Sequence, residues 1–162
     1  MISKENARSK GLDGKTLLHL GCASGNLGIV QTVIEVMDYN EGLKDTDEHS
    51  YNPMDYASSN LHVNILLWYL LDGSHANNIA LHTLAKLPSL LTSMLMCKKS
   101  DDTTLRAVET LMENITLGVE GENKICGELA KHVEGWDNDN MYASKPKTKR
   151  YVKNILKAWD KG

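Results

Sequence analysis

Three cysteines, six histidines and two short acidic runs are the residues of this sequence whose types could do chemistry. Cys22 could act as a nucleophile only beside a base and in an electropositive site. The histidines show none of the spacings that zinc sites use. The acidic runs at 45–48 and 137–140 lack the glycine and the distal glutamate of a calcium loop. We therefore expect no catalytic residue, no metal and no cofactor.

One glycine-containing stretch could bind a phosphate. Residues 11–16, GLDGKT, end like a phosphate loop, but Ser9 stands where that pattern needs its first glycine. A phosphate loop also follows a strand, and the residues before position 11 do not predict one. Lys15 is therefore interpreted as an exposed loop residue.

Composition limits the elements that could position these residues. Apolar residues make up 41% of the 162-residue chain, while aromatic residues make up 6% and Phe is absent, so aliphatic side chains and Met must fill the core. No apolar run is long enough for a transmembrane helix. An odd number of widely separated cysteines predicts no disulfide framework and a reducing, cytoplasmic location, with nuclear or cytoskeletal association also open.

The apolar residues follow helical periods, and one helical pattern recurs. The segment 14–19 aligns with 50–55 at an offset of 36 residues. The residues that follow then align as two apolar stripes with identical spacing. These stripes are Ile29, Val30, Val33 and Ile34 in the first copy and Ile65, Leu66, Tyr69 and Leu70 in the second.

Helical patterns continue to the end of the chain. Pro88 divides one helix from another that begins near it, and residues 100–104 predict a helix N-terminus. Further stripes follow, and no segment alternates convincingly like a strand, so the predicted class is all-α. The stripe residues are Leu105, Val108, Met112 and Ile115, then Ile125, Leu129 and Val133, and finally Val152, Ile155, Leu156 and Trp159.

The segment 14–27, GKTLLHLGCASGNL, resembles the ankyrin repeat signature through Thr16, Leu18, His19 and Gly25. The copy 36 residues later is more degenerate but keeps a Pro and an Ala of the pattern. The resemblance covers about residues 10–73. It implies that Thr16 and His19 bond backbone groups at the start of a helix, and that Cys22 is a buried, inert thiol.

The later helices are similar to armadillo or HEAT repeats. Residues 110–116, TLMENIT, are similar to the third helix of an armadillo repeat, although Thr110 stands where that family usually has Trp. The resemblance implies that Asn114 contacts the backbone of a bound peptide.

Together these patterns predict a short helical solenoid: ankyrin-like repeats in 1–73, armadillo-like helical hairpins in 74–135, and a basic loop and capping helix in 136–162. The predicted function is non-catalytic binding of a partner protein, as an adaptor or scaffold. By position in ankyrin repeats, loop tips and the first helices would contact that partner. The corresponding residues are Asp13, Lys15, Ser24, Asp45, Asp47, Glu48, His49 and Ser58.

The chain has an acidic body and a basic end. From Lys145 onward there are seven basic residues and one acid, against 11 basic and 20 acidic residues before it. The basic end is interpreted first as the solvated face of a capping helix and second as a docking site for an acidic surface; nucleic acid is not the expected partner. The basic positions considered are Lys145, Lys147, Lys149, Arg150, Lys153 and Lys157.

Two other functions remain open. The chain could be a structural subunit of a larger assembly or filament. Alternatively, residues 18–28 resemble the glycine-rich first motif of S-adenosylmethionine-dependent methyltransferases, and residues 52–56, NPMDY, echo the N-P-P-Y motif of amino-methylating members. His19, however, stands where that motif has an acid, and the two motifs are too close to hold the strand–helix units between them.

Overall fold

The computed structural model describes residues 3–37, 39–72, 86–114, 130–137 and 143–161. Every regular element in these ranges is helical, which confirms the predicted all-α class for the described residues. None of the described helices is both long and apolar enough to cross a membrane. The α-helices are α1 (Lys4–Ala7), α2 (Leu17–Ser24), α3 (Leu27–Val36), α4 (Tyr39–Lys44), α5 (Pro53–Ser59), α6 (Val63–Leu67), α7 (Leu87–Leu95), α8 (Asp101–Asn114) and α9 (Pro146–Lys161).

Three further helical segments complete the described chain. A π-helical turn, Trp68–Asp72, continues directly from α6, and a 3₁₀ turn covers Gly135–Asp137. Residues 130–134 are also helical.

Matching side-chain caps start α2 and α5. Thr16 caps α2 in a reciprocal pair with His19, and Asn52 caps α5 in the same way with Asp55. Such capping boxes satisfy backbone N–H groups that a helix leaves without partners. The capping residues lie 36 positions apart, as the alignment predicted.

The turns that flank these helices repeat the same spacing. Gly14 and Ser50 precede the capping residues with φ values of 79° and 65°. Gly25 directly follows α2 and Leu61 lies two residues after the end of α5, with φ values of 78° and 59°. Ser50 and Leu61 are thus non-glycine residues in the left-handed region, where L-residues are disfavoured. The second copy keeps the backbone shape of the first at positions where its sequence has lost the glycines.

The helices pack in two rows. In one row α2 lies against α5 and α5 against α7; in the other α3 lies against α6 and α6 against α8. α1 packs on α3 and α9 packs on α8, so each covers one end of the second row. The row of α2, α5 and α7 is called the inner row below, and the row of α3, α6 and α8 the outer row.

The inner row buries equivalent positions at intervals of 36 residues. Leu18 of α2, Met54 of α5 and Leu90 of α7 are all buried in the core. One turn later, Cys22, Ser58 and Met94 have no exposed surface. The spacing therefore extends to α7, beyond the two copies that the sequence pattern predicts.

Other predicted helical features have mixed outcomes. α7 begins at Leu87 with Pro88 in its first turn, and Ser100 Oγ accepts a hydrogen bond from the Thr103 N–H (3.2 Å) at the start of α8, as predicted. Ile29 is 45% exposed, because the buried face of α3 centres on Val30 and Val33. The helix predicted before Pro88, the stripe residues Ile115, Ile125 and Leu129, and the side chain of Trp159 lie outside the described residues.

Candidate functional site

Two loops of the same shape precede α2 and α5. In the first, Gly11 N–H donates to the Lys15 carbonyl oxygen at 2.9 Å; in the second, Asp47 N–H donates to the Tyr51 carbonyl oxygen at 3.0 Å. These bonds are again 36 residues apart. Each closes a tight loop whose tip projects beyond the start of an inner-row helix.

The two loop tips are joined to each other. Glu48 N–H donates to the carbonyl oxygen of Asp13 at 3.1 Å. A Cβ atom on Gly14 would lie 2.9 Å from Glu48 N, closer than real Cβ atoms come to a backbone atom. Gly14 therefore permits both the positive φ and the close approach, and the loops form one continuous rim.

Tyr56 links this rim to α5. Its hydroxyl donates a short hydrogen bond to the carboxylate of Asp47, and its ring lies 5.1 Å from Lys15 Nζ, in cation–π range. Burial and the Asp47 hydrogen bond raise the pKa of Tyr56 above its usual range, because both disfavour the phenolate. The Tyr51 and Tyr56 rings meet edge to face with centroids 5.8 Å apart.

A groove of about 420 Å³ runs between α5 and α7, below this rim, and is called the α5–α7 groove. Tyr51 and Met96 border it and remain 51% and 68% exposed, high values for large apolar side chains. The lining residues are Ser50, Tyr51, Asp55, Tyr56, Ser59, Ser93 and Met96. A half-open groove of this size suits a few side chains of a partner.

Several residues predicted to contact a partner lie on the rim with exposed or partly exposed side chains. In the first loop, Lys15 Nζ forms an ion pair with Asp13 Oδ2 at 3.2 Å. At the tip of the second loop, His49 Nε2 lies 3.6 Å from Glu48 Oε1. Ser24 is at the far end of α2, where its hydroxyl donates to the Gly21 carbonyl oxygen. Both loop tips can therefore be reached by a partner.

Two other predicted contact residues, Asp47 and Ser58, are buried, so their assignment to an exposed surface is wrong. Asp47 Oδ1 accepts backbone N–H groups from His49 (2.9 Å) and Tyr51 (3.0 Å), which fixes the loop from inside. Ser58 Oγ donates to the Met54 carbonyl oxygen at 2.7 Å inside α5, and its side chain faces the core.

Asp45 and Asn114 have contacts of their own. Asp45 forms a two-point contact with the Arg8 guanidinium, with 2.8 Å between Nη2 and Oδ1, and its side chain is only 13% exposed. Asn114 is exposed at the end of α8, where its amide donates to the Thr110 carbonyl oxygen at 2.7 Å.

The basic end is less uniform than its sequence suggests. Lys145 is only 3% exposed, and its ammonium donates to the carbonyl oxygens of Cys97 (2.9 Å) and Lys99 between α7 and α8. Its assignment to an exposed basic surface is therefore wrong. Lys147 is exposed and paired with Asp102 (3.0 Å).

The remaining basic positions are all on α9. Arg150 and Lys157 are exposed, and Lys149 and Lys153 are half-buried. Val152 and Leu156 on the same helix are buried and Ile155 partly so, as the apolar stripe predicted. α9 therefore packs on α8 by one face and carries exposed cations elsewhere.

Sequence reasoning missed the residues that line the groove. The predicted contact residues do not include Tyr51, Asp55 or Met96, because the second copy of the ankyrin pattern is degenerate and Met96 lies beyond it. One available signal was the pair Tyr51 and Tyr56 in a chain with few aromatic residues. The other was Met96, at the polar end of an apolar helix.

Comparisons of this chain with family models, with curated proteins and with solved structures found no match. The segment that resembles the methyltransferase motif forms α2, the left-handed turn at Gly25 and α3, where that motif needs a strand followed by a loop and a helix. Cys22 is buried in α2, and burial raises the pKa of its thiol to about 12.

Proposed function

We propose that this chain is a non-catalytic protein-binding module, an adaptor or scaffold that holds a partner through its loop rim and the α5–α7 groove. In this proposal the fold is a short helical solenoid of ankyrin-like repeats, with α9 covering its last helix pair. The cellular site of action would be a reducing compartment.

The solenoid arrangement is supported by the order of packing. Each inner-row helix contacts the next inner-row helix, and each outer-row helix contacts the next outer-row helix. Repeated caps and left-handed turns at a spacing of 36 residues add independent support. In such stacks each unit leaves an apolar face that its neighbour covers.

Exposure of Tyr51 and Met96 on opposite walls of one groove is the observation that carries the proposal. Single exposed apolar residues are common on protein surfaces and need no explanation. Here a tyrosine and a methionine, two residue types enriched at interfaces, border the same concave site.

Affinity capture with surface variants tests this proposal. We expect the wild-type chain to recover a reproducible partner, and the double variant Tyr51→Ala/Met96→Ala to lose it. Ile29→Ala, which truncates an exposed apolar residue on the outer row, should retain it. Thermal unfolding of each variant separates lost binding from lost fold. Retention of the partner by the double variant would contradict the proposed surface. If the wild-type chain recovers no partner, the proposed function is contradicted.

A structural subunit of a larger assembly is the second candidate. Leu12 is fully exposed and Ile29 is 45% exposed, both near the first helix pair. If these residues pack on another subunit, the isolated chain should associate at micromolar concentration, and Leu12→Ser/Ile29→Ser should restore a monomer in analytical ultracentrifugation. A wild-type chain that is already monomeric would count against this candidate.

A further inference from the structure

The chemistry of the α5–α7 groove indicates what kind of segment it binds, provided that the proposed protein-binding function holds. Its lining combines an exposed aromatic ring, an exposed thioether and several hydroxyl groups. Asp55 is the one charged residue among the lining residues in the described part of the chain. The groove therefore carries a negative charge next to an apolar surface.

Asp55 is held in place and still has acceptor capacity. Its Oδ2 accepts the N–H of Asn52 at 2.9 Å as part of the α5 cap, and its own N–H donates to Asn52 Oδ1 at 2.9 Å. A carboxylate offers about four acceptor positions, so one cap bond leaves room for a ligand. Because the cap fixes the side chain, a bound cation would meet a preorganised acceptor.

The Tyr51 ring can add a second attraction for a cation. Its edge-to-face contact with Tyr56 orients it, with the ring planes 81° apart, while half of the residue stays exposed. The face of an aromatic ring attracts a cation, and a guanidinium can also stack on it.

The molecule already holds one cation by this chemistry, beside the groove. Lys15 lies 5.1 Å from the Tyr56 ring centroid and 3.2 Å from an oxygen of Asp13. A tyrosine ring and an aspartate thus share one ammonium group here. Tyr51 and Asp55 offer the same two groups on the groove side.

The charge on the α5 side of the groove favours the same ligand. Residues 1–72, which form this side, contain ten acidic and five basic residues, and the exposed carboxylate of Glu48 lies on the neighbouring rim; on the α7 side, the exposed Lys98 and Lys99 follow Met96. The negative potential of the α5 side attracts basic segments and accelerates their association.

We propose that the α5–α7 groove binds a basic segment of a partner protein, in which an arginine side chain pairs with Asp55 and stacks on Tyr51. An adjacent apolar side chain packs against Met96. Arginine is preferred to lysine because its planar fork suits both a carboxylate and an aromatic face.

Selection from a phage-displayed random heptapeptide library tests the proposal, with the full chain as target. Asp55→Asn removes the charge but keeps an oxygen that can accept the Asn52 N–H, so the cap survives. The matched control is Glu35→Gln, which also removes one negative charge but at an exposed residue of the outer row. We expect the wild type to enrich peptides with an arginine beside an apolar residue.

Fluorescence anisotropy on the most enriched peptide completes the test. Asp55→Asn should weaken binding by about tenfold or more, as expected for loss of a hydrogen bond to a charged group, and Glu35→Gln should leave it unchanged. No enrichment, enrichment of acidic or wholly apolar peptides, or equal affinity for Asp55→Asn would overturn the inference. A partner that is still captured through Tyr51 and Met96 would then show that the proposed function stands without it.

Discussion

His19 Nε2 donates a hydrogen bond to the carbonyl oxygen of Tyr51 at 2.9 Å, across 32 residues of sequence. The other ring nitrogen, Nδ1, accepts the N–H of Thr16 at 3.0 Å. Because both backbone groups have fixed roles, the neutral imidazole with its proton on Nε2 satisfies both bonds. One buried side chain thus closes its own helix cap and fixes the backbone of a groove residue.

Replacement of His19 by alanine should destabilise the fold strongly. His19→Ala leaves a buried N–H and a carbonyl oxygen without their partner and opens a cavity, which together cost about 2–4 kcal/mol in the free energy of unfolding. His49→Ala, at an exposed histidine on the loop tip, should change it by no more than about 0.5 kcal/mol. Urea denaturation measures both values. Equal losses for the two variants would contradict the structural role of His19.

Gly25 should tolerate alanine poorly. Its φ is 78°, and an added Cβ would lie 2.7 Å from Nδ1 of His62, whose Nε2 bonds the Ala23 carbonyl oxygen. Strain and displacement of His62 should together cost about 1–3 kcal/mol. Gly135→Ala is the matched control, since nothing lies within 4 Å of its added Cβ. If the midpoint of thermal unfolding shifts equally in both variants, the left-handed turn does not require glycine at position 25.

Local features of the first helix pair were predictable because they depend on short-range rules. Thr16 and Gly25 satisfy the requirements of a cap and a left-handed turn within a few residues of chain. The second copy was harder to recognise, because Ser50 and Leu61 adopt the left-handed conformation without glycine. There, packing against neighbouring helices overrides local preference.

The groove could not be read from local rules. Tyr51 and Met96 are distant in sequence and border the same groove only because α5 packs beside α7. Likewise, charge composition placed Lys145 on the surface, whereas two carbonyl groups between α7 and α8 hold its ammonium in the interior. Burial of a single lysine depends on tertiary contacts that charge patterns do not encode.

Lys145 and Lys147 should therefore respond differently to loss of their charge. Lys145→Met keeps most of the side chain but leaves the carbonyl oxygens of Cys97 and Lys99 without a donor, at a cost of about 2–3 kcal/mol. Lys147→Met breaks only an exposed ion pair with Asp102 and should cost no more than about 1 kcal/mol. Chemical denaturation at neutral pH compares them. A larger loss of stability for Lys147→Met than for Lys145→Met would contradict the buried, hydrogen-bonded position of Lys145.

Acid should destabilise the protein partly through Asp47. Burial raises the pKa of this carboxyl, but hydrogen bonds from the Tyr56 hydroxyl and from the Tyr51 and His49 N–H groups outweigh it and hold the pKa below the usual 3.8. The unfolded state then binds the proton more tightly, so this contribution to stability is complete above pH 3.8 and is lost as pH falls through the folded value.

The variant Asp47→Asn isolates this effect. It should be less stable than wild type at pH 7, and its free energy of unfolding should fall less steeply below pH 3.8. Urea titrations at a series of pH values give the free energy of unfolding of both proteins, and hence its slope with pH for each. If the free energy of unfolding of the variant falls as steeply in acid as that of wild type, other carboxyls carry the acid dependence. One such carboxyl is that of Asp101, which accepts hydrogen bonds from Lys147 and Thr148.

Cys22 should react with alkylating reagents only when the protein opens. Its side chain has no exposed surface, and burial raises its thiol pKa to about 12, so the native state offers almost no thiolate at pH 8. Timed iodoacetamide labelling with peptide mass spectrometry follows this residue separately from the other cysteines. In His19→Ala, labelling should be faster by about tenfold for each 1.4 kcal/mol of lost stability, because the open population limits the reaction. Labelling of wild-type Cys22 as fast as in urea would contradict its burial in α2.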